Sequence, residues 1–462
     1  MPEGVRVLRL GDMILRREGS VAQRLVQAVI SVALRLFFRR IELSRAGLVP
    51  TSGALIFVLN HPNGLIDPGL VFAALPRRIS FLAKSTIFRL PVAGWLLRTV
   101  EALPLYRRAD AGEDMSQNLR TFEACRSLLL RGRCVALFPE GLSHNEPKLQ
   151  PVKTGAARIA LGAAVPELRF VPVGLYYTSK TSFRGEALLR FGEPLEVPTV
   201  EPDEHGEPPR DDVRELSARI EEALLGVTLN VETEEQLDTA RKAERLFSSV
   251  YEGLNMRLPL AERFDFLRGL SAQLFARLSA AKGFEDLRRR ILRHEAELER
   301  IGIAPENLSL SRHSRWYVLR HFLLRASILL LLLPLTVVGA VLHLPAYLVC
   351  TLLARLFPRH GVDEIGPTVK ILAAMLFMPL TWLVVSALAF VRWGWQAALV
   401  ALPLSVLCGY VALRSLEELY DMRGWFKAVL LLVRRRQLFL RLLIERRALR
   451  DEMRHMETPG DG

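Results

Sequence analysis

The stretch ALIFVLNHPNGLIDP, residues 54–68, sets the fold class. Six consecutive apolar residues, Ala54 to Leu59, are too few for an independent helix and read as a fully buried strand. Asn60, Pro62, Asn63 and Gly64 break the strand, and a helix is expected to begin near Pro68. His61 and Asp67 therefore stand at a strand end, where parallel sheets gather functional groups. An aspartate there can fix one imidazole tautomer and leave the other ring nitrogen to accept a proton. A second reading makes His61 a loop histidine and Asp67 a helix cap.

Working outward, short β-rich runs recur at Ile79–Ala83, Cys134–Phe138, Phe170–Tyr177 and Ala187–Phe191, separated by helical stretches. The alternation predicts an α/β domain over residues 46–230, with a mixed, largely parallel sheet flanked by helices. In residues 1–45, Leu25, Val29, Val32 and Leu36 recur at helical spacing, with Arg24, Gln27, Ser31 and Arg35 on another face. That pattern predicts an amphipathic helix that lies in a membrane interface or packs on the next domain. Residues 231–312 are charged and helix-periodic, a helical connector.

Residues 313–415 are a transmembrane region. Ile371–Val391 and Trp395–Leu413 each suit one crossing, and the short link Arg392-Trp393-Gly394 predicts a tight hairpin. Ser327–Leu353 is longer than one crossing needs, and Pro334, Gly339 and Pro345 could break it. Arg312, Arg315, Arg320 and Arg325 before it, and the basic tail over 416–462, favour both flanks on the cytoplasmic side. An even number of crossings, with Ser327–Leu353 re-entrant, is the expectation. The tail reads as a basic amphipathic helix, suited to anionic lipid or to packing.

With 62 Lys and Arg against 49 Asp and Glu, the formal charge is +13, which favours anionic partners. The tail arginines alternate with aliphatic residues rather than stacking aromatics, which argues against nucleic acid. Cys125, Cys134, Cys350 and Cys408 stand singly without metal-type spacing, so no metal site or disulfide framework is expected. The first twenty residues have no signal-peptide pattern.

Three further strand ends carry polar groups. LPLYRR, 103–108, ends in two arginines suited to a phosphate monoester, one of which could be a surface charge. VALFPEGLSH, 135–144, brings Glu140, Gly141, Ser143 and His144. PVKTGAAR, 151–158, places Lys153 before an Ala-rich helix, a natural anion site. In FVPVG, 170–174, Pro172 reads equally as a contact or as part of a buried strand.

NHPNGLIDP, PLYR, FPEGLSH with PVKTG, and FVPV, in that order, resemble the four-block pattern of the glycerolipid acyltransferase superfamily over about residues 45–225. Five residues lie between His61 and Asp67, where most of that family has four; this spacing is similar to the fungal-type glycerol-3-phosphate and dihydroxyacetone-phosphate acyltransferase branch. The resemblance implies His61 as general base, Asp67 as its orienting partner and Arg107 as a phosphate ligand. It implies Glu140 and Gly141 at the acceptor, with Ser143, His144 and Lys153 beside them, and Pro172 in donor binding or packing. It implies no bound cofactor: acyl-coenzyme A or acyl-carrier protein would be a co-substrate. The acceptor would be glycerol 3-phosphate or dihydroxyacetone phosphate, or, as an alternative, lysophosphatidate or another lysophospholipid. Membrane phospholipid is the remaining expected partner, and the expected location is a multi-pass membrane protein with its catalytic domain on the cytoplasmic side. A non-catalytic membrane lipid-binding protein is the competing class.

Overall fold

The computed structural model describes residues 4–14, 19–75, 77–89, 91–107, 114–144, 146–179, 183–201, 203, 207–248, 259–278, 282–303, 315–356 and 366–457. Arg108 and Arg312 lie outside the described residues. The chain divides into two compact units, an α/β unit made mainly of residues up to 232 and a helical unit made mainly of those after it.

The α/β unit is built on a nine-stranded sheet: β1 (Val5–Val7), β2 (Arg40–Ser44), β3 (Leu55–Leu59), β4 (Ile79–Lys84), β5 (Leu103–Leu105), β6 (Cys134–Leu137), β7 (Arg169–Tyr177), β8 (Glu186–Phe191) and β9 (Leu195–Glu196). The spatial order is β1-β2-β8-β7-β3-β6-β4-β5, with β9 also on β7. β3 runs parallel to β6 and β7, β6 to β4, β4 to β5 and β2 to β8, whereas β1, β8 and β9 make the antiparallel pairs. The mixed, largely parallel sheet is the one the apolar runs predict. β3 reads as a continuous apolar run because both its neighbours are parallel and all five residues are buried.

The flanking helices are α1 (Leu10–Ile14), α2 (Val21–Phe37), α3 (Ile66–Ala74), α4 (Pro91–Thr99), α5 (Asn118–Leu130), α6 (Gly155–Leu161) and α7 (Arg210–Val227). One core layer joins Ile56, Val58, Val135 and Phe170 of the sheet to Cys125 and Leu129 of α5, Ile159 of α6, and Leu216, Ile220 and Leu224 of α7. The first 45 residues hold more than the expected helix, since β1 and β2 extend the sheet. Both strands are short and carry charges, so periodicity alone hides them.

α2 opens with a capping box between Ser20 and Gln23. It buries its more polar face. Gln27 Nε2 donates to Phe72 O at 3.0 Å, Ser31 is buried, and the apolar stripe Val21, Leu25, Val29, Val32 and Leu36 is exposed, Val21 at 73% and Leu25 at 66%. Val26, Leu34 and Phe37 supply the apolar contact on the buried side.

The helical unit contains α8 (Glu234–Ser248), most of α9 (Leu260–Leu278), α10 (Lys282–Ile301), α11 (Arg315–Leu356), most of α12 (Gly366–Trp393), α13 (Trp395–Arg434) and α14 (Arg436–Glu457). Three helical stretches, Phe322–Leu356, Val369–Trp393 and Trp395–Arg434, are long and apolar enough to cross a membrane. The expected re-entrant break in Ser327–Leu353 is not there: α11 is one helix that contains both Pro334 and Pro345. A proline deletes a single ladder bond, and long apolar helices absorb that loss by local adjustment and neighbouring contacts. The preference for an even number of crossings falls with it. α12 and α13 are separated by Gly394 alone, with Ser386 Oγ donating to Ala398 O across the turn at 2.9 Å.

α11 and α13 approach closely at small residues: a Cβ on Gly339 would stand 2.0 Å from Cys408 O. Thr336 Oγ1 donates to Ser415 Oγ at 2.9 Å one turn away. α12 is tied to α11 by Trp382 Nε1, which donates to His343 Nε2 at 2.8 Å, while His343 Nδ1 meets Gly339 O at 2.8 Å. The basic tail divides between α13, which continues unbroken to Arg434, and α14, which buries Phe439, Leu442 and Leu443 in a cluster with Leu298 of α10. Substituting Gly339→Val forces the α11–α13 crossing apart at about 1–3 kcal/mol. Thermal unfolding of the full chain in detergent checks this, with a transition several degrees below wild type expected and an unchanged transition counting against the close approach.

Candidate active site

Every block singled out in the sequence except FVPV ends at one edge of the sheet, because β3, β4, β5 and β6 are parallel and release their loops from the same side. His61 follows β3, Arg107 follows β5, and Glu140 to His144 follow β6. Asn60 closes the end of β3: its side-chain amide exchanges hydrogen bonds with Leu175 of β7, Nδ2 to O at 3.1 Å and N to Oδ1 at 2.7 Å, continuing the ladder past the last strand residue. The loop that begins at His61 therefore has a fixed origin.

His61 Nδ1 lies 2.8 Å from Asp67 Oδ2. The carboxylate accepts, so the proton resides on Nδ1 and the Nε2 lone pair is available. Phe138 stacks on the imidazole, with centroids 4.0 Å apart and planes at 15°, while the side chain keeps 18% of its surface exposed. Asp67 is wholly buried in the first turn of α3. Its Oδ2 also accepts from Asn63 N at 2.7 Å, and its Oδ1 accepts from Tyr177 Oη at 2.6 Å. The cap reading of Asp67 does not hold, since Leu65 occupies the cap position of α3 with no side-chain cap bond; Asp67 stands within the first turn, and its Oδ2 serves both the preceding loop and the histidine. Burial, then the adjacent Asp67 charge and hydrogen bond, hold the Tyr177 phenol well above its ordinary range.

Glu140 is buried and joins two loops. Oε1 accepts from His61 N at 2.8 Å, and Oε2 accepts from Gln150 N at 2.8 Å and from His144 Nε2. His144 N in turn donates to His61 O at 3.1 Å. Ser143 Oγ accepts from Gly64 N at 2.8 Å, a second tie between the same loops. Glu140, Ser143 and His144 are buried and brace the loops around His61.

Two cations meet at Gly141. Arg107 Nη1 donates to Gly141 O at 3.1 Å, and a Cβ on Gly141 would stand 2.4 Å from Lys153 Nζ. Gly141 has φ of +74°, which also favours glycine. Lys153 N donates to Pro139 O at 2.9 Å, so the third-block loop folds back over its own strand end. The Ala-rich helix that follows, α6, is only seven residues long, and the cationic character of the site rests on the two side chains. Pro172 lies apart from these groups. It is buried within β7, opposite Val58 of β3, at the break where β7 exchanges β9 for β8 as its partner on the other side. That break is where a strand interior tolerates a missing N–H.

Sequence reasoning missed Tyr177, Phe138, Asn60, Asn63 and Gln150. Asn60, Asn63 and Phe138 lie inside blocks already singled out and Tyr177 four residues beyond one; Gln150 contributes only its backbone N–H, which no residue type reveals. All four cysteines are buried thiols outside any disulfide, Cys134 is inside β6, and burial pushes the Cys125 thiol up to about 12.

A family model described as Acyltransferase matches residues 40–176, and a second, Glycerol-3-phosphate acyltransferase 2 C-terminal domain, matches residues 243–457. The chain belongs to the glycerolipid acyltransferase superfamily. Within this superfamily it is 27% identical over 300 residues to glycerol-3-phosphate O-acyltransferase 2 of Saccharomyces cerevisiae, covering 59% of this chain and 38% of that protein. It is 24% identical over 409 residues to an uncharacterized acyltransferase of Schizosaccharomyces pombe, covering 69% and 60%. A chloroplastic 1-acyl-sn-glycerol-3-phosphate acyltransferase of Brassica napus is 29% identical over 164 residues, covering 35% and 45%. The chain thus spans less than two thirds of each of these relatives. The second family model extends the superfamily likeness from the α/β unit to the helices that include the three apolar ones, and these mark the chain as membrane-associated.

Glu140→Gln would set an amide N–H₂ against either the His61 or the Gln150 backbone N–H. The expected cost is about 1–3 kcal/mol from the buried donor left without an acceptor. A lowered unfolding transition of the full chain measures it, and an unshifted transition would show that the two loops do not depend on this carboxylate.

Proposed function

We propose that this protein is an O-acyltransferase that moves a fatty acyl group from an acyl thioester to a hydroxyl of glycerol 3-phosphate or dihydroxyacetone phosphate. The observation that carries this reading is the His61–Asp67 pair, with Nδ1 committed to the carboxylate and Nε2 left to take a proton, beside two cations converging on Gly141. Nε2 of His61 removes the acceptor's hydroxyl proton as its oxygen attacks the thioester carbonyl. The tetrahedral intermediate then collapses, the C–S bond breaks, and the departing thiolate takes the proton back from His61. Acyl-coenzyme A or acyl-carrier protein supplies the thioester, and no side-chain nucleophile or bound cofactor takes part.

Arg107 and Lys153 hold the acceptor's phosphate, Arg107 through its planar fork and Lys153 as a point charge. Gly141 leaves room for the phosphate to come close to the backbone. Glu140, Ser143 and His144 act by fixing the loop that carries His61. The glycerol-3-phosphate acceptor is favoured by the activity named for the Saccharomyces relative and by the match of the second family model to the helical unit. A lysophosphatidate acceptor is the second reading, favoured by the likeness to the Brassica protein.

His61→Ala is expected to lower acyl transfer by about 10²–10⁴-fold in a folded sample. Arg107→Ala is expected to raise KM for the phosphate-bearing acceptor more than it lowers kcat. Assays of the purified full chain with glycerol 3-phosphate, dihydroxyacetone phosphate and lysophosphatidate, each with radiolabelled acyl-coenzyme A, check both and rank the acceptors. Full turnover by His61→Ala removes the general-base reading.

The exposed stripe of α2 is, in this reading, a lipid-facing surface beside the site. α2 and α3 run antiparallel, since Gln27 bonds Phe72 while Ile30 lies against Gly69, so the C-terminal half of the stripe is level with Asp67. An apolar stripe that stays exposed on a packed helix suits the acyl region of a bilayer. A fluorophore at Val29 in the full chain, reconstituted in bilayers with spin-labelled lipid, should be quenched severalfold more than one at exposed Glu123 of α5. Equal quenching at the two positions would rule out the insertion.

A further inference from the structure

We propose that Tyr177 is a positioning residue for the His61–Asp67 pair: its hydroxyl sets the plane of the Asp67 carboxylate and so the aim of the imidazole. The inference rests on the general-base reading of His61. Asp67 Oδ2 is held by two donors from its own loop, His61 Nδ1 and Asn63 N. Both act on the same oxygen, so they leave rotation of the carboxylate about its bond to Cβ weakly determined. Tyr177 bonds the other oxygen at 2.6 Å, from β7 and 110 residues along the chain. Two oxygens tied from two elements fix a plane; one oxygen tied from one element does not.

The phenol is itself held in place. Its ring stacks on Phe38, which is fully buried just past the end of α2, with centroids 5.6 Å apart and planes at 24°. Phe38 N donates to Leu34 O at 2.7 Å, which fixes where that ring begins. β7 at Tyr177 is paired with Ala187 of β8, so the phenol stands on the sheet and not on a loop. Only 3% of Tyr177 is exposed, which excludes contact with a substrate and confines its role to Asp67. Because the phenol stays protonated far above neutral pH, it remains a donor throughout the working range. Nothing in FVPV announces this role, although the tyrosine lies only four residues beyond that block.

Tyr177→Phe keeps the ring and its stacking and removes only the donor. In the full chain, kcat is expected to fall about tenfold to a hundredfold, the loss typical of one hydrogen bond to a buried charge, with KM for the acceptor within about twofold. In an Asp67→Asn background the same change should cost little more, because both substitutions remove one interaction. Replacement of Tyr177 by 4-aminophenylalanine returns a donor to the same place and should restore kcat to within a few-fold. An unchanged kcat in Tyr177→Phe, a full extra loss in the Asp67→Asn background, or no recovery with the amino analogue overturns the proposal. If Asp67→Asn alone left turnover intact, the general-base reading would fail first and take this inference with it, an outcome distinct from the other three.

Discussion

A carboxylate with no access to water must find all its donors within the protein, and Asp67 is the group around which this site is arranged. An ionised carboxylate buried without partners costs several kcal/mol. Three donors meet the demand, from the histidine, the loop backbone and a strand tyrosine. Each also has a structural consequence: the Asn63 bond shapes the entry into α3, the His61 bond selects the tautomer, and the Tyr177 bond ties the helix to the sheet. Glu140 repeats the device one loop away, where a second buried carboxylate satisfies two backbone N–H groups and an imidazole. The sheet edge thus carries two anionic clasps with a pair of cations beside Gly141.

Much of the α/β unit was legible because burial on both faces writes itself into a strand as an unbroken apolar run. β3, β6 and β7 were readable for that reason, β4 and β8 as β-rich runs each interrupted by one polar residue, and the parallel order of β3, β4, β5 and β6 then placed their loops together. β1 and β2 were not, since three and five residues with charges carry no such run. The clustering of His61, Asp67, Arg107, Glu140 and Lys153 was legible from their positions at strand ends. Their division of labour was not, because which oxygen meets which donor is decided by loop paths that composition does not encode. Glu140 illustrates this: its charge pointed toward a ligand, whereas its geometry points inward to the backbone.

α2 shows the same limit from another side. Its stripe is legible and its surroundings are not, because periodicity identifies an apolar face without saying whether lipid or protein covers it. Gln27 and Ser31 pack inward because α1 and α3 offer carbonyls that satisfy them, Phe72 O at 3.0 Å and Met13 O at 3.5 Å. In the helical unit, the prolines of α11 misled for a related reason. A helix breaker in water, where the chain has other partners, is only a missing bond where the alternative is an exposed backbone in hydrocarbon.

The loop between His61 and Asp67 bears on how such sites diversify. Its origin is pinned by Asn60, its end by the first turn of α3, and its middle by the bond from Gly64 N to Ser143. With both ends anchored independently, a residue can enter or leave between them without disturbing the contact of imidazole and carboxylate at 2.8 Å. The number of residues in the loop and the imidazole–carboxylate contact are thus set by different parts of the structure.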